Sequence, residues 1–430
     1  MATTTPNYDD LWRSIAQAGG IDAYVTQQLK ERGFLTERSD ASQMSKNELK
    51  RYKASLKAEA AEKLRLKKEA WLAYRSQHIV HLGEGMYWND AADIDGFDLA
   101  EPEARASENE LPQLDNPKQL ADALSLTVAD VRWLSYHRDA ARSLHYRRFT
   151  IPKKSGGERP IWAPMPKLKA AQRWIARHIV ERLPVHGHAH AFLPARSINT
   201  NAKQHIGSRM VLQMDLVGFF PTVTFPRVKG IFRKAGYREQ IATLLAAICT
   251  EAPREVLEHE GKTWFIAMGP RALPQGAPTS PGLTNTLCLR LDRRLTALAA
   301  KLGWNYTRYA DDLTFSLLKS HKGKPNLGAL MGCIKKVVTD EGFVVNADKT
   351  RVSRKGGRQK VTGLVVNGVQ PPRVPREFKR RLRAAIHRLE NGGALFEGET
   401  LDTLKGQAAY VFMTDPELGR KMLERLAKLG

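Results

Sequence analysis

The chain has 430 residues, 42% of them hydrophobic, with a mean hydropathy of −0.42, which is enough apolar material for two or three domains with real cores. It lacks the roughly 20 consecutive apolar residues a membrane span requires and an apolar signal core near Met1. Its three cysteines, Cys249, Cys288 and Cys333, are far apart and form no CxxC pair, which excludes a disulfide framework and a zinc or redox motif. A soluble protein of the reducing cytoplasm, with no membrane partner, is expected. The net charge of +23 is unevenly spread: residues 1–120 hold 16 Lys and Arg against 20 Asp and Glu, and residues 121–430 hold 52 against 25. A surplus of this size, confined to the C-terminal three-quarters, points to a polyphosphate partner such as nucleic acid.

In chain order, Tyr8 to Val80 reads as helical, with a long Lys/Glu/Ala/Leu helix from Ser45 to Ser76. From Trp88 to Asp115 almost every ionisable group is acidic and apolar periodicity disappears, which reads as a linker. Short helices follow from Gln119, then a basic hairpin, Ile151-Pro-Lys-Lys-Ser-Gly-Gly-Glu-Arg159-Pro, with Gly156-Gly157 at its turn. Alternating strands and helices continue to about Gly368, an α+β core, and amphipathic helices are expected over Arg376–Glu390, over Leu401–Phe412 and from Asp415. The expected domains are therefore 1–115, a helical N-terminal extension with its acidic linker; 116–368, the α+β core; and 369–430, a helical C-terminal domain.

The chemistry-bearing feature is Tyr309-Ala310-Asp311-Asp312, flanked by Trp304–Arg308 and Leu313–Leu317, which read as two strands joined by a tight turn. Adjacent carboxylates at a hairpin tip repel each other unless a cation relieves them. A third, Asp215, ends the apolar strand Met210–Met214. Three hard oxygen ligands from a strand end and a hairpin would hold two Mg²⁺ ions, which activate an attacking 3′-hydroxyl and stabilise departing pyrophosphate. His186, His188 and His190 alternate as ligands might, but have no partnering Cys or carboxylate cluster and read as structural.

In this order the motifs resemble those of the reverse transcriptases. The strand carrying Asp215 is similar to the family's first catalytic motif, Gln275-Gly276-Ala-Pro-Thr-Ser-Pro281 to its template- and nucleotide-positioning motif, and Tyr309–Asp312 to its YxDD box. Asn346–Thr350 and Gly363–Asn367 resemble the two motifs that follow. The resemblance implies a right-hand polymerase fold: fingers, a palm with an antiparallel sheet and a helical thumb, preceded here by the N-terminal extension. It also implies metal ligation by Asp215, Asp311, Asp312 and the backbone carbonyl of Leu216. Deoxynucleoside triphosphate would meet Lys153 or Lys154, Arg159, Gln275 and Gly276. Phe220 would sit beneath the incoming sugar and exclude a 2′-hydroxyl. Lys349 could donate a proton to the leaving pyrophosphate.

Asn201-Ala-Lys-Gln-His205 resembles the NAxxH element of retron reverse transcriptases, and Val361-Thr362-Gly363 their VTG element, so Asn201, His205, Val361, Thr362 and Gly363 are candidate RNA-binding residues. Arg376, Arg380, Arg381 and Arg383 surround a helix whose apolar stripe is Phe378, Leu382, Ile386 and Leu389, a packed face with a phosphate-facing one opposite. Retron membership implies a structured noncoding RNA partner from the same locus, DNA synthesis primed from an internal guanosine 2′-hydroxyl, a branched RNA–DNA product, and an antiphage role with an effector protein. The alternatives are an intron-like or diversity-generating reverse transcriptase, disfavoured by the NAxxH and VTG elements and by the lack of a maturase, endonuclease or RNase H-like region, and a noncatalytic RNA-binding scaffold, disfavoured by the intact Asp triad.

Overall fold

The computed structural model describes residues 8–31, 40–84, 100–152, 156–323, 325–396 and 398–429. The chain divides into two compact units, one ending at Val80 and the other taking up at His81. The first contains the helices Tyr8–Gln17, Ile21–Glu31 and Lys46–Arg75. The last of these begins at a capping box in which the Ser45 side chain accepts from the Glu48 N–H and the Glu48 carboxylate accepts from the Ser45 N–H. None of its residues is buried; i,i+3 and i,i+4 pairs such as Arg65 with Glu62 and Glu69 line its surface.

Among the described residues, the second unit holds all the strands: β1 (Ala140–Ala141), β2 (Tyr146–Pro152), β3 (Glu158–Pro164), β4 (Met210–Leu216), β5 (Arg254–His259), β6 (Lys262–Ala267), β7 (Trp304–Tyr309), β8 (Asp312–Leu317), β9 (Val345–Arg354), β10 (Lys360–Val361) and β11 (Leu364–Val365). The palm sheet runs β7-β8-β4-β9, antiparallel throughout. Apolar β4 lies at its centre, with Val211, Leu212 and Met214 buried. Helix Leu289–Lys301 packs on β7, and helix Phe225–Ala235 packs on Glu239–Cys249, which is buried along nearly its whole length. The fingers pair β2 with β3 and, separately, β1-β6-β5.

In the thumb, helices Arg376–Glu390, Leu401–Phe412 and Pro416–Ala427 bury Leu382, Ile386, Leu404, Val411 and Met422 against Val361, Leu364 and Ala202. Among the described residues no helix is long and apolar enough to cross a membrane.

The linker expectation is corrected over residues 100–115. Pro102–Glu108 is helical, and Ala106, Leu111 and Leu114 are buried in the second unit. Glu103 pairs with Arg238 at 2.6 Å, and the Tyr237 hydroxyl donates to the Pro112 carbonyl at 3.1 Å. The acidic residues form the wet face of a packed segment, and its three spaced apolar anchors are too few to register as a period. Among the described residues, the first unit ends at Val80 and residues 100–115 belong to the second. The part of the acidic stretch between Trp88 and Leu99 lies outside the described residues.

Candidate active site and nucleic-acid interface

Asp215 lies within β4, directly opposite Asp312 of β8. Tyr309 pairs with Asp312, so Ala310 and Asp311 form a two-residue hairpin turn. Ala310 takes a φ of +57°, costly for a side-chain-bearing residue. Two hydrogen bonds hold it: the Leu216 N–H donates to the Asp311 carbonyl at 3.1 Å, and the Arg308 guanidinium donates to the Ala310 carbonyl at 3.2 Å. Arg308 is itself fixed in the core by bidentate bonds to Asp292, 2.8 Å each, and one to Asn285 at 3.0 Å, while the Tyr306 hydroxyl also donates to Asp292 at 2.8 Å. All four side chains are buried, and the whole network escapes sequence reading. The available signal is an arginine inside an apolar strand beside the paired aspartates, which has to find a buried anion.

Asp311 has its pKa raised first by loss of water and further by the charge of Asp215, with Lys349 and Arg159 opposing. Asp312 opens toward the cleft, yet the protein around it removes enough water that this, followed by the charges of Asp311 and Asp215, pushes its pKa to about 6. The register of β4 against β9 shifts between Gln213 and Asp215. The bulged stretch of β9 carries Lys349, whose ammonium donates to both Asp215 oxygens at 3.1 and 3.0 Å. Among the described residues no three His, Cys, Asp or Glu side chains are gathered into a ready metal cage. The donor set still fits a hard divalent cation, since it offers carboxylate oxygens crowded enough to resist deprotonation and one already neutralised by a cation.

Leu216 is buried core at its side chain. The residues after it form a turn, and the Phe219 and Phe220 rings stay in contact, with centroids 5.6 Å apart. Phe219 is buried against Phe343 and beneath Arg308, whereas Phe220 is half-buried beside the exposed Phe192. Gly276, at φ +121°, lies so close to β3 that a Cβ there would come within 2.8 Å of the Trp162 carbonyl. The adjacent Trp162 N–H donates to the Gln275 carbonyl at 2.8 Å, and these contacts bring the positioning motif against the finger hairpin. Arg159 is exposed on β3. Lys153 and Lys154 lie outside the described residues.

The segments Asn201–His205 and Val361–Gly363 meet each other. Helix Ile198–Lys203 packs on β10 and β11, and the Thr362 hydroxyl donates to the Ile198 carbonyl at 3.0 Å. Thr362 and Gly363 both have positive φ, forming the two-residue turn of the β10–β11 hairpin. Asn201, His205 and Val361 are fully buried. His205 bridges the palm hairpin, 2.7 Å from the Ser316 hydroxyl and 2.7 Å from that of Thr307, and burial lowers its pKa to about 3, so it is neutral. Neither polar atom of the Asn201 side chain has a hydrogen-bond partner in the described structure.

On the thumb, Arg376, Arg380, Arg381 and Arg383 are exposed, and among the described residues none of them is ion-paired. Lys379 and Arg388 are committed internally, to Asp415 and Glu399. Each of the three alternating histidines is hydrogen-bonded within the protein: His186 accepts from the His188 N–H, His188 bonds the Tyr306 carbonyl and His190 the Thr200 hydroxyl.

Residues 151–371 match the family model described as reverse transcriptase (RNA-dependent DNA polymerase). The chain belongs to the reverse transcriptase family. Within it, this enzyme is 50% identical over 427 residues to the retron Mx162 reverse transcriptase of Myxococcus xanthus, a match covering 97% of this chain and 88% of the relative. It is 43% identical to the retron Mx65 reverse transcriptase of the same organism over 77% of this chain and 76% of the relative, and 32% identical to the retron Ec86 reverse transcriptase of Escherichia coli over 74% and 91%. The enzyme is thus an RNA-directed DNA polymerase of the retron group, with the right-hand polymerase fold and the family's dependence on divalent metal.

Proposed function

We propose that this reverse transcriptase copies part of a structured noncoding RNA into DNA, priming from the 2′-hydroxyl of an internal guanosine to leave a branched RNA–DNA molecule, and that it does so in the cytoplasm as part of antiphage defence. The observation that carries the catalytic half is the register that sets Asp215 opposite Asp312 with Asp311 at the adjoining turn. Two Mg²⁺ ions bound by these carboxylates and the Leu216 carbonyl would activate the priming hydroxyl and stabilise the leaving pyrophosphate. Lys349, already in contact with Asp215, is placed to give a proton to that leaving group.

Lys153 or Lys154, together with Arg159, neutralises the triphosphate from the finger hairpin, and Gln275 and Gly276 position the nucleotide over Phe220, which excludes ribose. Buried Asn201, His205 and Val361 shape the junction of palm and thumb, while Thr362, Gly363 and the exposed thumb arginines meet the RNA. Residues 1–80, whose apolar side chains Trp12, Val25 and Trp71 are exposed, serve as an arm for the noncoding RNA or an effector protein.

The test of the active site is Asp311→Asn. Removing one metal ligand at a hairpin turn should abolish primer extension in Mg²⁺, by at least about 100-fold, while fold and RNA affinity remain. Near wild-type extension by the purified variant would remove Asp311 from the site. The priming reading is tested by isolating the DNA made in cells and treating it with a 2′,5′-debranching activity; a product insensitive to debranching rules it out.

A further inference from the structure

The fingers carry a second concavity that none of the polymerase chemistry uses. The end of helix Val128–Ser135, β1 and β6 enclose a cavity of about 400 Å³, within the size range of small-ligand sites. Its wall interleaves Trp133, Tyr136 and Trp264 with Arg132, Arg138 and Arg142. The guanidinium carbons of Arg132 and Arg138 each lie 5.0 Å from the centre of the Tyr136 ring, and that of Arg142 lies 4.9 Å from Trp264. Trp133 is 50% exposed, with the edge-on His145 ring 4.2 Å from it. Packing does not explain a half-exposed tryptophan in a cationic rim. Nor does charge pairing: Glu251, at the floor, is bonded to Arg254 at 3.1 Å, and among the described residues no carboxylate pairs with the three rim arginines.

We infer that this cleft binds unpaired RNA, seating one or two nucleotides with bases stacked on Trp264 and Trp133 and phosphates on Arg138 and Arg142. An arginine lying over a ring keeps its N–H edges free for phosphate oxygens, and an indole offers a flat face to any base. That combination suits a nucleotide better than a lipid, which needs a continuous apolar patch, or an acidic peptide, which has no use for stacking platforms. Duplex RNA buries its base faces and cannot use the rings. The cleft stands at the root of the β2–β3 hairpin, where the Met165 N–H donates to the His145 carbonyl at 2.8 Å and Lys167 pairs with Asp130 at 2.8 Å. A strand held there is therefore held by the fingers, apart from the Asp triad and the thumb.

The inference rests on the reading that the enzyme works on RNA. Fluorescence anisotropy with a short, unstructured, labelled RNA, and with the same RNA in a blunt duplex, compares the full-length wild type with a Trp264→Ala/Arg142→Gln variant and with Trp264→Phe. The double variant should lose at least about fivefold in affinity for the single strand, the loss expected for one stacked base, and keep its affinity for the duplex. Trp264→Phe, which retains a ring, should recover most of it. Extension of a saturating primer–template in parallel reports that the variant is folded; if the double variant fails to fold, Arg142→Gln alone carries the same comparison. Unchanged single-strand affinity, or an equal loss on the duplex, overturns the inference. A wild type unable to extend on any RNA template would instead overturn the RNA-directed reading itself.

Discussion

At the scale of single residues, the alternation expected to set Phe220 apart from Phe219 is not what the backbone does there. Alternation along an extended chain would send Phe219 and Phe220 to opposite sides, but the backbone there turns and leaves the two rings 5.6 Å apart; what distinguishes them is that Phe219 also packs on Phe343 while Phe220 reaches Phe192. Phe220→Ala removes the half-buried ring and leaves the Phe219 anchor intact, so ribonucleotide incorporation relative to deoxynucleotide should rise by about tenfold or more. The ratio of kcat/KM for the two substrates measures it, and an unchanged ratio returns Phe220 to packing. The paired aspartates and Asp215 were legible because their residue types and order are local. The Arg308–Asp292–Asn285 network that holds the Ala310 turn was not, because its members are brought together from two helices and a strand that no sequence period connects.

At the scale of elements, the helix and strand periods were largely legible. The thumb helices and the capped helix after Ser45 stand where their apolar spacing and caps place them. What spacing could not reveal is which polar residues point inward. His205 belongs to a short helical end that clamps the palm hairpin through two hydroxyls, and burial keeps its imidazole neutral. Its folded-state pKa, about 3, lies below the ordinary 6.5, so the unfolded chain binds the extra proton first. Stability should therefore fall as pH drops from 6.5 toward 3, by up to about 1.4 kcal/mol per unit from this group. His205→Gln, which cannot titrate, should be less stable at neutral pH by about 1–3 kcal/mol and show a shallower acid slope in denaturant melts. Identical slopes would assign the acid sensitivity elsewhere. The thumb helix is the opposite case, because its arginines face water. Changing Arg380, Arg381 and Arg383 together to Gln should weaken RNA binding and reduce the logarithmic salt slope by about 2 to 3, near 0.7–0.9 for each phosphate no longer neutralised. Equal slopes for variant and wild type would exclude these arginines from the RNA surface.

At the scale of the whole molecule, the distribution of burial singles out the N-terminal region. Among the described residues from Leu11 to His78 none is buried, whereas the palm, fingers and thumb hold cores of their own. A segment that buries nothing contributes little to folding stability, because hydrophobic stabilisation scales with area removed from water. Residues 1–75 hold 14 Lys and Arg against 10 Asp and Glu, so their removal takes away little net charge and leaves the cationic surface of residues 121–430 intact. A protein lacking residues 1–75 should therefore melt within about 2 °C of the full chain, corresponding to less than about 2 kcal/mol. It should extend a generic annealed primer at close to the full-length rate, since the Asp triad, the finger hairpin and the thumb all lie beyond the cut. If the exposed Trp12, Val25 and Trp71 are contacts for an RNA or protein partner, the loss should show in assembly, as weaker co-purification of the enzyme's own noncoding RNA or of an effector from cells. Three measurements on one truncated protein, a thermal melt, a generic extension rate and recovery of bound partners, separate the two roles. A collapse of the extension rate with an unchanged melt would place the arm in catalysis and not in assembly.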